Sequence, residues 1–428
     1  MHEIYTKLEK IYWLSLGCWY SFINIQKGVD MKNKFLKCLL LVGTFFMFMA
    51  NAVERKPWTF FVYLAAANDL NPFAFLDLQE MMKVGSNANV NIIVYLTLQE
   101  DGQPKVTKKL YIQKGSMTQI GDDMVRDSGD IATLEEALQW ACIDYPSDHI
   151  AVVMWDHGSG SLNRSKMMRP RGVCYDFDTG HYLTDRDCLE AFTWARDSLR
   201  DGKKFDIIAF DACLLASLEI AYTLSSCADY MVASEETIPG DGYQYAYVLN
   251  QFATKNLDVL SFAKLIVSAY KQEYVGTPDY TLSATDLNAL SPLVDNCNAV
   301  AQILKSQLMG KNKTAVKSTI RKCVSSSNCL SFDQGAYIDL GQFYKNLLKN
   351  VNGLKLSKSL VDQFKRVLNK GIKLFSTIIK ANVMSTNYKQ ASGLSIYFSR
   401  YIIDPSYYGL YWTENNPNWL SFLEAYLA

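Results

Sequence analysis

HIAVVMWDHGSG, residues 149–160, and FDIIAFDAC, residues 205–213, decide the fold of this chain. Each begins with a short, nearly continuous apolar run, which predicts a strand buried on both faces of a sheet. Each strand is followed at once by an aspartate and then by a residue with reactive chemistry, His157 in the first segment and Cys213 in the second. Because functional residues of such sheets collect beyond the carboxyl ends of the strands, His157 and Cys213 are predicted to lie on the same edge.

The same pattern extends outward from these two segments. Further strands are predicted at Trp58–Leu64, Asn91–Leu96, Val106–Gln113 and Asp229–Ser234, and helices at Leu70–Met81, Thr133–Tyr145, Leu189–Leu199 and Leu214–Leu224. Buried strands that alternate with helices of about three turns require a mainly parallel sheet covered on both faces. The sequence therefore predicts an α/β fold, an α/β/α sandwich with a mostly parallel central sheet.

The chain is richer in helical patterns after Tyr243. Helices are predicted at Phe262–Tyr270, Leu290–Leu308 and Leu360–Ile379, and strand-like pieces at Tyr280–Ala284 and Gly393–Phe398. The strand-like pieces either extend the main sheet or form a smaller one. We find no internal repeat and no low-complexity linker, so the predicted division is a core at residues 53–240 and a helix-rich C-terminal portion at 241–428 that completes the fold.

The N-terminal segment has the three parts of a secretory signal peptide. A basic stretch begins at Met31, the run Cys38–Met49 is almost wholly apolar, and Ala50-Asn51-Ala52 supplies small residues for cleavage. The apolar run is too short to span a bilayer comfortably, which favours export over a membrane anchor. We therefore predict an upstream extension at residues 1–30, a signal peptide at 31–52, and a secreted or periplasmic protein without a stable membrane anchor.

The charges of the chain balance at 43 Lys and Arg against 43 Asp and Glu. Removal of residues 1–52 leaves 37 basic and 40 acidic residues, a net charge of about −3. A protein that binds nucleic acid through its phosphates normally carries a basic excess or a basic block, and neither stands out here. The charge balance therefore argues against nucleic acid as a partner.

Eight cysteines follow the predicted signal peptide, too few in a chain of this length for a disulfide scaffold. No C-x-x-C pair and no cluster of cysteine and histidine is present, so we predict no metal site. Cys323 and Cys329 are close enough in sequence to form a disulfide.

Cys213 and His157 are the best candidates for catalytic chemistry. Cys213 precedes the helix predicted from Leu214, and a helix N-terminus favours the thiolate, which is the nucleophilic form. An imidazole nearby can accept and return the proton, while the N–H groups of Gly158 and Cys213 can hold an oxyanion. A lone cysteine after a strand is more often a small buried hydrophobe, so the argument depends on both residues sharing one edge.

The other histidines fit this chemistry less well. His149 lies at the start of its strand, on the opposite edge of the sheet, and His181 follows a glycine in an apparent turn. A serine-hydrolase site is also disfavoured, because Ser159 lacks the G-x-S-x-G sequence after a strand.

At this point the sequence resembles the clostripain family of cysteine peptidases, which are related to caspases, legumain and the gingipains. The matching segments are WTFFVYLAAANDL at 58–70, AVVMWDHGSG at 151–160, FDIIAFDACLLASLEIAY at 205–222, ASEETIPGDG at 233–242 and GLSIYF at 393–398. The resemblance implies a caspase-like α/β/α fold, a His157/Cys213 dyad and cleavage of peptide bonds after Arg or Lys. The protein or peptide substrate would carry that basic residue at P1.

A basic P1 side chain needs a carboxylate in its pocket, because a cation buried without a partner is costly. The resemblance assigns this role to Asp211 and Asp241. For Asp241 the structural alternative is an ordinary turn residue, and for Asp211 it is hydrogen bonding to backbone at the head of a helix.

The resemblance also implies activation by autocleavage in the loop after His157. Lys166-Met167 and Arg171-Gly172 are the favoured cleavage sites, and the resulting light and heavy chains are expected to stay together because they share one sheet. The alternative is a basic surface loop that binds an acidic partner.

No cofactor is expected to be required, although some relatives depend on calcium. No EF-hand pattern is present, but Asp176, Asp178, Glu235 and Glu236 are oxygen ligands that leave calcium open. The two alternatives to a peptidase are a catalytically silent, caspase-like peptide-binding protein and a transpeptidase that uses the same thioester.

Overall fold

Strands alternate with helices along the chain. The computed structural model describes residues 55–100, 102–159, 172–255 and 257–428. The strands are β1 (Lys56–Ala66), β2 (Val90–Leu98), β3 (Val106–Gln113), β4 (Ser116–Gln119), β5 (Ser147–Trp155), β6 (Phe205–Asp211), β7 (Ala228–Ala233), β8 (Thr281–Asp286), β9 (Ser331–Phe332), β10 (Tyr337–Asp339), β11 (Ile379–Met384) and β12 (Ser395–Tyr397).

The helices fall between and beyond these strands. They are α1 (Asn71–Val84), α2 (Ile131–Asp144), α3 (Asp185–Leu199), α4 (Leu218–Leu224), α5 (Tyr245–Thr254), α6 (Val259–Tyr274), α7 (Ser291–Leu308), α8 (Lys313–Cys323), α9 (Leu340–Lys349), α10 (Lys358–Ile378), α11 (Tyr411–Asn415) and α12 (Pro417–Leu427). Short 3₁₀ helices lie at Leu287–Ala289, Asp333–Gly335, Val351–Leu354 and Pro405–Gly409.

Nine of the strands form one sheet in the order β11-β8-β7-β6-β5-β1-β2-β3-β4. The five central strands, from β7 to β2, pair in parallel, and the outer strands on both sides pair antiparallel. Trp155 at the end of β5 is in register with Asp211 at the end of β6. The carboxyl ends of the two strands that decide the fold therefore lie side by side.

The central strands are buried on both faces, which explains their continuous apolar sequences. One face of β1 packs Phe61 and Tyr63 under α2 and α3, while the other packs Phe60 and Val62 under α1, α5 and α6. Each apolar face of a sheet must be covered by another layer, so helices lie on both sides. The predicted α/β/α sandwich with a mostly parallel sheet is confirmed.

The helix predicted from Leu214 is wrong at its start, because α4 begins only at Leu218. The N–H of Leu214 donates to the carbonyl of Glu236 at 3.2 Å, and the N–H of Ala216 donates to that of Ser234 at 2.8 Å. These contacts and the positive φ of Leu214, 65°, hold residues 214–216 out of a helix. Cys213 is consequently not at a helix N-terminus, and the helix dipole does not act on its thiol.

Residues beyond 240 contribute to the main sheet as well as to helices. The predicted strand at Tyr280–Ala284 joins this sheet as β8, whereas Gly393–Phe398 provides β12 of a separate sheet with the order β12-β10-β9. Residues Arg55–Ala428 form one compact unit. In the part of the chain that the structure describes, no helix is long and apolar enough to cross a membrane. The predicted upstream extension and signal peptide lie outside the described residues.

A buried carboxyl group connects the core to the small sheet. Glu219 on α4 accepts a hydrogen bond from the backbone N–H of Tyr397 at 3.0 Å and another from the hydroxyl of Tyr407 at 2.9 Å. Burial raises the pKa of Glu219, so the carboxyl depends on these donors. The C-terminal portion is thereby bonded to the helix that follows the Cys213 segment.

Replacing Tyr407 with Phe is expected to lower the free energy of unfolding by about 1–3 kcal/mol, because it removes a donor from a buried carboxyl group. Chemical denaturation with urea measures this loss. Tyr408→Phe is the matched control: its side chain is 48% exposed, so its effect should stay within about 0.5 kcal/mol. Equal stability of the two variants would contradict the importance of the Glu219 contact.

Candidate active site

His157 and Cys213 line one cleft at the carboxyl edge of the sheet. The cleft has a volume of about 240 Å³, and its floor and walls also include Trp155, Asp211 and the segment Thr237–Gly240. The loop after β5 supplies the histidine and the loop after β6 the cysteine. The structure therefore brings together the two side chains that the sequence pairs only by their position after strands.

Gly158 is in direct contact with the backbone of Cys213. A Cβ atom added at Gly158 would lie 2.2 Å from the carbonyl oxygen and 2.8 Å from the nitrogen of Cys213. No side chain fits at such a distance, so this close approach of the two loops requires glycine. The backbone of Gly158 therefore lies directly against the backbone of Cys213, beside the cleft.

The thiol of Cys213 lies against the loop that follows β7. The N–H of Ile238 is 3.3 Å from Sγ, in position to donate a hydrogen bond, and Sγ is 3.8 Å from the carbonyl oxygen of Ile238. A hydrogen bond from an N–H group stabilises a thiolate relative to a thiol. The sequence predicted that a helix dipole would favour the thiolate of Cys213. In the structure, the hydrogen bond from Ile238 takes that role.

The ring of His157 is held by an aspartate that sequence analysis did not single out. Nε2 of His157 lies 2.6 Å from Oδ1 of Asp69, and the imidazole is 12% exposed. The ring stacks parallel to Phe177, with 6.0 Å between centroids. If Nε2 carries the proton that Asp69 accepts, Nδ1 is the acceptor of the neutral ring. Asp69 follows the end of β1. It therefore obeys the same rule as His157, namely that functional residues lie just beyond the carboxyl ends of the strands.

Asn68 binds three loops at this edge to one another. Its Nδ2 group donates to Oδ1 of Asp156 at 2.7 Å and to the carbonyl of Tyr175 at 2.9 Å. Asp156 also accepts a hydrogen bond from the backbone N–H of Tyr175. Burial raises the pKa of Asp156, and these donors offset part of that effect. The loops after β1 and β5 and the segment before α3 are therefore fixed relative to His157.

Asp211 is buried beneath the cleft and is bound by two tyrosines. It accepts hydrogen bonds from the N–H of Tyr243 and the hydroxyl of Tyr245, both at 2.9 Å. Gly242, with a φ of 57°, lies directly on the carboxylate, because an added Cβ would be 2.6 Å from Oδ2. Burial raises the pKa of Asp211 to about 7. Tyr245 is the first residue of α5, so the donors lie at the head of that helix and not of the helix that follows Cys213.

A second buried carboxyl, Asp77 on α1, lies near Asp211. The indole N–H of Trp155 donates to Oδ2 of Asp77 at 2.6 Å. Burial and the charge of Asp211 raise the pKa of Asp77 to about 9. Asp77 cannot be recognised from the sequence, because nothing in the pattern of a helix shows that one of its polar residues faces inward against a tryptophan.

Asp241 is placed differently from Asp211. It is exposed in the turn after Pro239, and the described lining of the cleft includes its neighbours Gly240 and Gly242 but not Asp241 itself. The structure thus brings Asp211 to the cleft and leaves Asp241 at the surface beside it.

His149 and His181, the other histidines that the structure describes, lie away from the cleft. Nδ1 of His149 is 2.6 Å from Oδ1 of Asp206 at the amino end of β5, where the ring packs on Trp58. Nδ1 of His181 is 2.6 Å from Oδ2 of Asp127, and the side chain is 67% exposed. Both contacts are consistent with structural roles.

The proposed oxygen ligands for calcium are engaged in other contacts. Asp176 is fully buried and forms an ion pair with Lys105 at 2.8 Å, and Asp178 lies 3.4 Å from the same ammonium group. Glu235 accepts from the N–H of Gly393 at 3.0 Å, and Glu236 from the hydroxyl of Tyr388 at 2.5 Å. Among the described residues, no group of three or more His, Cys, Asp or Glu side chains is arranged to hold a metal ion.

Cys323 and Cys329 are both buried and form no disulfide with each other. Desolvation raises the pKa of the Cys323 thiol to about 12, which keeps it protonated.

The candidate processing sites Lys166 and Arg171 lie outside the described residues. The chain on either side of residues 160–171 is nevertheless paired: the N–H of Ser159 donates to the carbonyl of Gly172 at 3.3 Å, and the N–H of Gly172 donates to Oγ of Ser159 at 3.2 Å. A further bridge joins Gly158 to Val173. The two ends are therefore held to each other by contacts outside the segment itself.

A sandwich of this topology, with histidine and cysteine side by side after adjacent parallel strands, has the architecture of a caspase-like cysteine peptidase. Comparison with known proteins agrees: the profile of the clostripain family, peptidase C11, matches residues 62–421. The chain belongs to the clostripain family of cysteine peptidases. Clostripain from Hathewaya histolytica is 28% identical over 142 residues, a segment that covers 31% of this chain and 27% of that protein.

Solved structures show the same fold. A secreted C11 cysteine protease from Bacteroides thetaiotaomicron, in complex with an irreversible peptide inhibitor, has a TM-score of 0.60 at 21% identity, covering 86% of this chain and 99% of that one. An inactive zymogen C11 protease from Parabacteroides distasonis has a TM-score of 0.61 at 18% identity, covering 85% and 99%. At 21% and 18% sequence identity, these similarities show that the folds are alike and nothing more.

Replacing Gly158 with Ala is expected to slow alkylation of Cys213 by iodoacetamide by about tenfold or more, and to lower stability by about 1–3 kcal/mol, because the added methyl group overlaps the Cys213 backbone. Mass spectrometry of the modified peptide and urea denaturation measure the two effects. Gly409→Ala is the control, since nothing lies within 4 Å of the added Cβ there. Wild-type alkylation of Gly158→Ala would show that the two loops do not approach as described.

Proposed function

We propose that this protein is a cysteine endopeptidase that cleaves peptide bonds after Arg or Lys, with Cys213 as nucleophile and His157 as general base and acid. The observation that carries the proposal is the single cleft lined by both side chains, where Gly158 packs on the backbone of Cys213. Membership of a family of cysteine peptidases supports the same chemistry.

The reaction follows from the chemistry of these groups. His157 takes the thiol proton, Sγ of Cys213 attacks the scissile carbonyl, and the N–H groups of Gly158 and Cys213 stabilise the oxyanion. His157 then gives the proton to the leaving amine, and a thioester remains. Water, deprotonated by His157, attacks the thioester and releases the acid product. The contact between Asp69 and Nε2 supports this assignment, since it leaves Nδ1 to exchange the proton.

Cys213→Ala is expected to abolish cleavage of a peptide substrate with Arg at P1, because no other nucleophile replaces the thiolate in the cleft. Release of a fluorophore from an Arg-terminated substrate measures this. Unchanged thermal unfolding of the variant serves as the folding control, and residual wild-type activity would overturn the mechanism.

The same assays separate the alternatives. A silent peptide-binding protein would show wild-type Cys213 inert to an Arg-chloromethylketone, whereas a transpeptidase would transfer the acyl group to an added amine in preference to water.

Asp211 is the proposed origin of the preference for a basic P1 side chain. Its carboxyl group lies under the cleft, and in its ionised form it can pair with a guanidinium or ammonium group that has lost its water. Gly242 packs directly on this carboxylate, where any larger residue would overlap it. Asp241, exposed at the same turn, is proposed to add to the negative potential at the entrance of the pocket.

The preference for Arg is therefore expected to depend on pH. Because burial raises the pKa of Asp211 to about 7, its negative charge is present above that pH and is lost below it. The ratio of kcat/KM for an Arg substrate to that for the neutral isostere citrulline should fall by up to about tenfold per pH unit below this value. Taking the ratio cancels the titration of Cys213 and His157, which both substrates share.

Asp211→Asn should lower this ratio to a constant value across the same pH range, while activity on citrulline persists. Asp241→Asn is the matched control, in which the pH dependence should remain because an exposed charge contributes little. A pH-dependent ratio in Asp211→Asn would assign the titration to another group.

Autocleavage at Lys166 or Arg171 is proposed to activate the enzyme. The pairing of Ser159 with Gly172 supports the expectation that the light and heavy chains remain associated, because it connects the two sides of the cut. Intact-mass analysis should find the wild-type protein cut and Cys213→Ala uncut. Lys166→Ala and Arg171→Ala, tested singly, identify the bond that is cut. N-terminal sequencing also reports whether the signal peptide is removed after Ala52.

Activity that persists in EDTA would agree with a reaction that requires neither calcium nor another cofactor.

A further inference from the structure

The neutral total charge of the chain conceals a strong separation of charge, so the statement that no basic block stands out is wrong for one segment. Residues 291–380 contain 15 Lys and Arg but only four Asp and no Glu, a net charge of +11, whereas the remaining residues balance it at −11. This segment runs from the start of α7 to the beginning of β11 and includes α8, β9, β10, α9 and α10, and we call it the basic module. An asymmetry of this size within one chain is typical of proteins that bind an anionic surface.

The charges of the basic module point to solvent. Eleven of its 15 cations are exposed, including Arg321 and Lys322 at the end of α8 and Lys370 and Lys373 on α10. Within the described part of the chain, Lys380 is the one cation of the module in an ion pair, with Asp286 at 3.2 Å. The other described cations of the module consequently form no close ion pair with a described acidic side chain.

Two large side chains project from a loop beside the end of α8. Tyr401 is 90% exposed and Ile402 78% exposed, the two highest values among the exposed large hydrophobic residues described. The guanidinium of Arg400 donates to the carbonyl of Val324, the residue after α8, at 2.9 Å. This hydrogen bond connects the loop to the end of that helix. We call Arg400, Tyr401 and Ile402 the exposed tip.

Internal hydrogen bonds fix the conformation of the exposed tip. The hydroxyl of Ser399 donates to the carbonyl of Ile402, and the N–H of Asp404 donates to the hydroxyl of Tyr397 at 2.9 Å. The next residue, Ile403, is buried. The loop therefore holds one apolar residue inside the protein and presents two outside, beside the C-terminal end of α8. Asn346 of α9 donates to the carbonyl of Cys323 at 3.0 Å, so α9, which carries the exposed Lys349, also contacts the end of α8.

We propose that the basic module and the exposed tip together form a site for reversible binding to the surface of an anionic lipid bilayer. Lysines attract the anionic headgroups, and the tip inserts an amphipathic tyrosine and an isoleucine at the level where headgroups meet acyl chains. A nucleic acid fits these features less well. Thirteen of the 15 cations are Lys instead of Arg, and the aliphatic side chain of Ile402 cannot stack on a nucleic-acid base.

Co-sedimentation with vesicles tests the proposal and does not involve peptidase activity. The protein is expected to sediment with vesicles of phosphatidylcholine mixed with phosphatidylglycerol, not with phosphatidylcholine alone. Binding should be lost on raising the salt from about 0.1 M to about 0.5 M, because added ions screen the attraction. Equal binding to both kinds of vesicle, or to neither, would overturn the proposal.

Two double variants separate the parts of the site. Arg321→Glu with Lys322→Glu, and Tyr401→Ser with Ile402→Ser, should each reduce the fraction bound by about tenfold or more. Lys264→Glu with Lys271→Glu, on exposed positions of α6, and Val275→Ser, at a side chain that is 70% exposed, are the matched controls and should bind like wild type. Equal losses in the controls would show a nonspecific charge effect and refute a localised site. Preferential binding of a DNA duplex over anionic vesicles would refute a lipid surface as the partner.

Discussion

The approach of Gly158 to the backbone of Cys213 is the contact on which the rest of the site depends. Parallel pairing of β5 with β6 brings the two strand ends into register at Trp155 and Asp211. The chain then leaves the sheet at both positions, and only a glycine permits the two loops to touch. The histidine and the cysteine are thereby presented to one cleft.

Buried polar groups stabilise this edge from below. Asn68 and Asp156 bind the loops around His157, while Asp211 and Asp77 lie under the cleft with tyrosine and tryptophan donors. Each carboxyl loses hydration on burial, so its donors must be supplied by the fold. Such carboxyls, whose pKa values are raised by burial, are frequent at functional sites, where a change of charge accompanies the binding of a ligand.

The sequence predicted the parts of this arrangement that follow from local rules. Continuous apolar runs predicted the central strands. Because functional residues lie beyond the carboxyl ends of such strands, His157 and Cys213 were predicted to lie on the same edge. The same reasoning failed at Leu214, because pairing of residues 214–216 with Ser234 and Glu236 overrides the helical pattern. It also missed Asp69 and Asp77, which reach the site from β1 and α1 and owe their importance to contacts distant in sequence.

The sequence by itself determined the class of fold, the pair of reactive side chains and the membership of a peptidase family, because each depends on a short continuous segment. Only the tertiary structure decided which groups surround that pair. Asp211 is buried and Asp241 exposed although both lie in matching motifs, and Cys213 takes its hydrogen bond from Ile238 instead of from a helix. The separation of charge is present in the sequence, but only the fold places the exposed tip beside the end of α8. Burial and contact depend on neighbours far along the chain, and no local pattern contains that information.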